Sequence, residues 1–183
     1  MIKLIPVKEG RICQGDIFKD VEYVEYAVEK SGIIEISKII FPLVIVLTQD
    51  CDLKQDFTNR AEAAGETQDK HLLSVIVAPL YNAEHVYNGE HLSYLSLKMQ
   101  DISKGSKTYI KLLKKNQLPR YHYLEFEDSI TSSIIDFKHY FAVNVELLLK
   151  SKSENFIFNV PSLAREQISQ RFANFLSRIG LPL

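Results

Sequence analysis

IIFPLVIVLTQDCDLKQD, residues 39–56, decides how this chain is read. An apolar, mostly β-branched run stops abruptly at Thr48, and Gln49, Asp50, Cys51 and Asp52 follow it. A short run of that kind, LVIVL (43–47), is the pattern of a strand buried on both faces. Pro42 reads as the break before it. The thiol between two carboxylates then has two readings: a loop that does chemistry, or the last core residue of a strand.

Working back toward the N-terminus, IIEISKII (33–40) alternates, with Ile34 and Ile36 opposed to Glu35 and Ser37. Ser31-Gly32 reads as a turn. DVEYVEYAVE (20–29) has a period of two with mixed faces, and Gly15-Asp16 in QGDIF marks the turn before it. Working forward, KQDFTNRAEAAGETQDK (54–70) is polar and reads as a long exposed loop, with at most a helical turn at 60–64. SVIVAPL (74–80) is a second buried strand ended by Pro79. Residues 82–118 are helix-prone and interrupted near Lys104-Gly105. RYHYLEF (120–126), HYFAVNVELL (139–148) and FIFNV (156–160) read as further strands. A final amphipathic helix, capped by Ser162, carries Ile168, Phe172, Phe175, Leu176 and Ile179 on one face and stops at Gly180 and Pro182.

The 183 residues, 46% hydrophobic with a net charge of −1, suffice for one cored α+β domain and exclude a strongly basic surface overall. Two cysteines, Cys13 and Cys51, are too few for a disulfide scaffold. MIKLIPVKEG does not read as a signal peptide, and the longest apolar block falls far short of the roughly 20 residues a membrane helix needs. The expectation is a cytoplasmic protein with reduced thiols and no membrane contact.

The order of these pieces resembles the PemK/MazF-like plasmid growth inhibitors across about residues 11–82. The likeness rests on Gly15-Asp16 opening a long strand, a hairpin, Pro42 before LVIVL, and a second buried strand closing on Ala-Pro in VIVAP (75–79). RFANFLSRIGLP near the end is also similar to tails of small bacterial proteins that carry a Cys-Asp-Leu loop. The first resemblance implies an SH3-like antiparallel β-barrel. Its core would span about 11–82 plus 120–160, with a helical insertion at 83–118 and a C-terminal amphipathic helix at 162–179. Ribonucleases of that family place Arg before the Pro and Thr soon after the second strand. Here Phe41 precedes Pro42, and Leu80 and Tyr81 follow Pro79. A phenyl ring cannot stabilise charge on a scissile phosphate. The resemblance therefore implies a non-catalytic RNA- or protein-binding module of a toxin, mobile-element or defence system. Its partner would be RNA or a protein such as an antitoxin, and a homodimer is left open.

Two enzyme readings compete with it. In a divergent MazF-like endoribonuclease, Arg120, His122 or lysines of 104–115 would stand in for the missing groups. In a hydrolase or transferase, Cys51 would be the nucleophile, with His122 or His139 as base and Asp50 or Asp52 as orienting acid. Flanking carboxylates raise a thiol pKa, which opposes that use. The candidate ligand-binding residues are Gln49, Asp50 and Asp52 of the strand end, and Lys111, Lys114, Lys115 and Tyr121 of a lysine-rich, tyrosine-interleaved stretch suited to phosphate and base contact. The alternative for that stretch is a solvated helix with Ile110, Leu112 and Leu113 facing the core. Cys13, Cys51, His122 and His139 lack the local pairing of structural zinc sites, and Asp50, Asp52 and Asp56 make an ordinary acidic turn. No metal or cofactor is expected.

Overall fold

The computed structural model describes residues 1–6, 10–61, 67–102, 107–127 and 130–178. LVIVL and SVIVAPL are antiparallel neighbours: Val44 pairs with Pro79, Ile45 with Ala78 and Val46 with Val77. Around that pair the chain builds a seven-stranded antiparallel sheet from β1 (Asp16–Lys30), β2 (Ile33–Val46), β3 (Ser74–Asn82), β4 (Tyr121–Leu124), β5 (Ser133–Asp136), β6 (Phe141–Asn144) and β7 (Phe156–Asn159). The order is β4-β5-β3-β2-β1-β7, with β6 also on β3. Five helices complete the α+β fold: α1 (Asp50–Ala61), α2 (Ala83–Tyr87), α3 (Lys107–Lys114), α4 (Val145–Asn155) and α5 (Ser162–Leu176).

Both faces of the sheet centre are covered, which is why its strands are apolar without alternation. Val44, Val46, Val75 and Val77 face a core completed by Leu53 of α1, Val86 of α2, Leu113 of α3 and Leu148 of α4. Ile45, Leu47, Ala78 and Leu80 face the opposite core, filled by Ile168, Phe172 and Phe175 of α5.

The sheet does not close into a barrel, because its end strands β4 and β7 do not pair. It curls instead until one short segment reaches both ends. Ile2 bridges Phe126 beyond β4, and Ile5 bridges Asn159 of β7. Three residues of rise separate Ile2 from Ile5 and each bridge adds one strand spacing, so these ends lie within roughly 20 Å. The α5 side chains, with Ile2 and Leu4 packed against them, fill the hollow that further strand pairing would otherwise enclose.

Several local expectations need correction. The stretch after Thr48 is neither a loop nor a strand end: α1 begins at Asp50 and takes up residues 54–61 of the supposed loop, while residues 62–66 lie outside the described residues. Asp50 and Asp52 in its first turn and Arg60 in its last complement the helix dipole. The predicted strand 139–148 divides into β6 and α4, because Asn144 Oδ1 accepts the N–H groups of Glu146 and Leu147 at 3.0 and 3.1 Å and starts a helix. Ser162 is the first residue of α5 and not its cap; Pro161 holds that position. The proposed helix stop at Gly180 and Pro182, and the interruption at Lys104-Gly105, lie outside the described residues.

Pro42 does not break its strand. β2 runs through it, between the pairs Lys19–Leu43 and Val21–Phe41, and Asp20 of β1 opposite adopts a left-handed φ of 52°. Pro79 is tolerated for a related reason. Ile76 exchanges hydrogen bonds with the β2 side through Leu47 and Thr48, so by alternation Pro79 turns its missing N–H toward β5 and β6. There the ladder is interrupted by a 3-10 turn at Phe137–His139.

The start of β1 is fastened by a buried network. Gly15 has φ 82°, and a Cβ there would meet Val160 Cγ2 at 2.7 Å, so this position needs glycine. Asp16, 1% exposed, accepts from Cys13 N at 2.9 Å, Lys152 Nζ at 2.8 Å and Asn159 Nδ2 at 2.7 Å. This ties the first strand, α4 and β7 together. Removing one member of a buried pair leaves the other uncompensated. Lys152→Met should therefore lower unfolding free energy by about 3 kcal/mol in urea titration, with partial recovery when Asp16→Asn is added. A Lys152→Met protein as stable as wild type would contradict the assignment.

Candidate functional site

Of the sequence-derived candidates, Arg120 and His139 come together on Asp136, and the others do not join them. Cys51 is exposed on the first turn of α1, and among the described residues its Sγ meets Gln49 Oε1 at 3.6 Å and Asp52 Oδ1 at 3.4 Å. Neither is a base that activates a thiol. Cys13 is buried, and its Sγ donates to the Arg11 carbonyl at 3.8 Å. Asp50 is held by Arg11 through two 3.0 Å hydrogen bonds and accepts Gln14 N–H at 3.1 Å. Burial raises its pKa, but the Arg11 and Gln14 hydrogen bonds, with the charges of Arg11 and Arg165, outweigh that and leave it below the usual value. Asp56 is buried on Arg60 and Leu72 N–H and shares no cation site with Asp50 and Asp52 among the described residues.

His122 is buried on β4, lowered to about 3 by burial and by the charge of Arg171. Arg171 is structural as well: its guanidinium donates to the carbonyls of Asn116, Leu118 and Tyr121, locking α5 to the loop before β4. Lys111, Lys114 and Lys115 are exposed on and just after α3, while Leu113 is buried beneath them. Lys114 Nζ lies 5.8 Å from the Tyr87 ring centroid and 6.0 Å from that of Tyr123. Tyr121, in contrast, is buried with the Arg120 guanidinium over its ring at 4.9 Å, so it presents no stacking face to a base.

What the fold does bring together is a cluster the sequence did not reveal. Arg120, just before β4, forms a forked ion pair with Asp136, which is fully buried at the end of β5. His139 Nδ1 lies 3.7 Å from Asp136 Oδ2 and 3.1 Å from the Tyr81 hydroxyl. The Tyr81 ring packs against His91 at 4.8 Å between centroids. Tyr81 and His91 line a cavity of about 480 Å³ with Phe41, Pro42, Ser93 and Tyr94. Phe41 and Tyr81 therefore share one cavity wall. Burial, reinforced by His139, pushes His91 down to about 4; burial likewise lowers His139 against the opposing pull of Asp136. Burial, with Tyr94 and Asp136 nearby, raises Tyr81. The rings are thus neutral at pH 7 and the phenol keeps its proton. Arg120 and His139 were legible as candidate cation and base, and the Asp136-x-x-His139 spacing was a local signal for the carboxylate; His91 comes from a distant segment with none.

The other distinctive feature is the far half of the β1–β2 hairpin. Past Tyr23, whose ring meets Phe141 edge-on at 5.2 Å, the two strands run out as a two-stranded ribbon to the Ser31-Gly32 turn. Seven residues per strand make an arm of roughly 20 Å. The register puts Val24, Ala27, Ile34, Ile36 and Ile40 on one face, and Ile34 and Ile36 are 68% and 60% exposed.

Two buried neutral histidines make stability depend on pH. The unfolded chain takes up their protons near 6.5, whereas the folded chain resists until about 4 at His91 and about 3 at His122. Their contribution is complete above 6.5 and is lost as pH falls toward 3. The urea midpoint should fall between about pH 7.5 and pH 5, and less so in His122→Phe. A pH-independent midpoint would contradict neutral burial.

No protein-family model matches this chain, and no curated protein does.

Proposed function

We propose that this protein is a non-catalytic protein-binding module that docks a partner on the β1–β2 arm. The exposed isoleucine face carries the reading. Alternating strands normally bury one face, and here nothing among the described residues covers it. Residues 20–40 hold five carboxylates (Asp20, Glu22, Glu25, Glu29, Glu35) against two lysines (Lys30, Lys38). A net negative arm repels phosphate, so RNA is disfavoured there. The occupant is a protein whose apolar strip is edged by lysine or arginine.

The competing enzyme readings lack support of this kind. Arg120 is engaged by Asp136, and among the described residues Cys51 Sγ meets Gln49 and Asp52 but no histidine, so neither residue supports the role those readings give it. Kinship with the PemK/MazF-like growth inhibitors, with an SH3-like origin for the sheet, belongs to the proposal. The adjacency of 43–47 and 74–80, and the shared cavity of Phe41 and Tyr81, support it; the open sheet weighs against it. A toxin, mobile-element or defence setting follows from that kinship, and the products of neighbouring genes are then the natural partners.

Binding of those products and of total RNA should be compared between wild type and Ile34→Lys/Ile36→Lys. The expected result is a basic protein partner whose affinity falls at least about 100-fold in the variant, as removal of two central apolar anchors implies. RNA binding or cleavage that the arm variant retains would overturn the reading. Self-association abolished by the variant would reassign the arm to a second copy of this chain.

A further inference from the structure

We propose that His91, Asp136 and His139 form a binding site for a divalent first-row transition ion at the edge of the Tyr81 cavity. One donor atom from each lies within 4.8 Å of the others, and among the described residues this is the one group of three or more His, Cys, Asp or Glu side chains so arranged. The set is two imidazoles and a carboxylate, the donor chemistry of zinc and of ferrous sites that keep open positions.

An independent observation points the same way. His91 is 6% exposed, yet neither ring nitrogen has a hydrogen-bond partner. The His85 carbonyl approaches the ring outside hydrogen-bond geometry and already accepts Glu90 N–H at 2.7 Å. A buried imidazole without a partner is costly unless something fills its lone pair. His139, by contrast, is placed by the Tyr81 hydroxyl.

Arg120 supports the carboxylate from outside the cluster. Its Nε reaches both carboxylate oxygens of Asp136, and Lys138 N–H takes Oδ1 at 3.0 Å. Arg120 Nη2 also donates to Oδ2, so these contacts take the roughly four lone-pair positions of the carboxylate. An ion on the His139 side of Oδ2 replaces the shared Nε contact there, while Nε keeps Oδ1. Such outer partners orient ligands. The guanidinium charge also weakens the site relative to an unpaired carboxylate, so binding is moderate. Ligand atoms around zinc sit about 3.3 Å apart, given bond lengths near 2.0 Å, so ring rotations of His91 and His139 would close the cluster. His91 and Tyr81 face the cavity, which leaves the open coordination positions toward Ser93, Tyr94 and Ser133, where a small anionic or carbonyl ligand would meet the ion.

Untagged protein stripped with a chelator should be titrated with Zn²⁺ by calorimetry and with Co²⁺ by visible spectroscopy. The expected result is one equivalent bound, a Co²⁺ spectrum of nitrogen and oxygen ligands, and a rise in melting temperature with Zn²⁺. His91→Phe keeps the ring packing on Tyr81 but removes both nitrogens. It and His139→Gln should each weaken binding at least about tenfold, while His71→Ala leaves it unchanged. Absence of stoichiometric binding in wild type, or undiminished binding in folded His91→Phe or His139→Gln, would overturn the site. Arm-mediated partner binding does not depend on this result.

Discussion

The pairing of Leu43–Leu47 with Ser74–Leu80 is the constraint on which the other elements depend. Two adjacent strands apolar throughout 43–47 and 75–80 present hydrophobic surface to both sides, and each side needs its own cover. That need accounts for the otherwise scattered helices. α1 to α4 cover one face, and α5 alone covers the other. Each fully buried Val, Ile or Phe contributes on the order of 1.5–3 kcal/mol, so the doubly covered pair dominates the stability of the domain. The Asp16–Lys152 network fixes where β1 joins this pair, and a proline in each central strand is accommodated where its missing N–H meets an irregular partner.

Beyond the covered region the same strands continue without cover. The division falls near Tyr23 and Ile39, where the last rings of the arm still touch the body. A two-stranded ribbon is marginal in water on its own, and here cross-strand pairs such as Lys30–Glu35 and Ser37–Glu25 hold it. An exposed apolar surface kept on such a ribbon contributes little to folding, which is why recognition is the more economical explanation for it. The histidine cluster sits apart from that arm at the far side of β3, built where β5 and β6 are separated by the 3-10 turn carrying His139. An interruption in a ladder re-aims side chains, and here it points a buried aspartate and a histidine at one cavity wall.

The elements whose identity rests on local pattern were legible in the sequence. LVIVL, SVIVAPL, the hairpin turn at Ser31-Gly32 and the amphipathic α5 all announce themselves by period and punctuation. α1 was hidden because its apolar content is little more than Leu53 and Phe57, although its terminal charges fit a helix. α4 was hidden because NVELL continues an apolar strand pattern, and the Asn144 cap that divides the two is a single residue. The site was less legible still. Asp50 and Tyr121 are absorbed into the structure, whereas Lys111, Lys114 and Lys115 are exposed as a solvated helix would have them. Asp136 and His139 are local neighbours on one 3-10 turn, but Tyr81 and His91 reach them only through tertiary pairing.

Hydrogen–deuterium exchange of the free protein separates the arm from the sheet centre. If the arm is an uncovered docking element on a doubly covered sheet, amides of residues 24–37 will exchange through local opening, at least about 100-fold faster than those of Val44–Val46 and Val75–Val77. Equal protection of arm and sheet centre would mean the arm is part of the core, and would contradict the account.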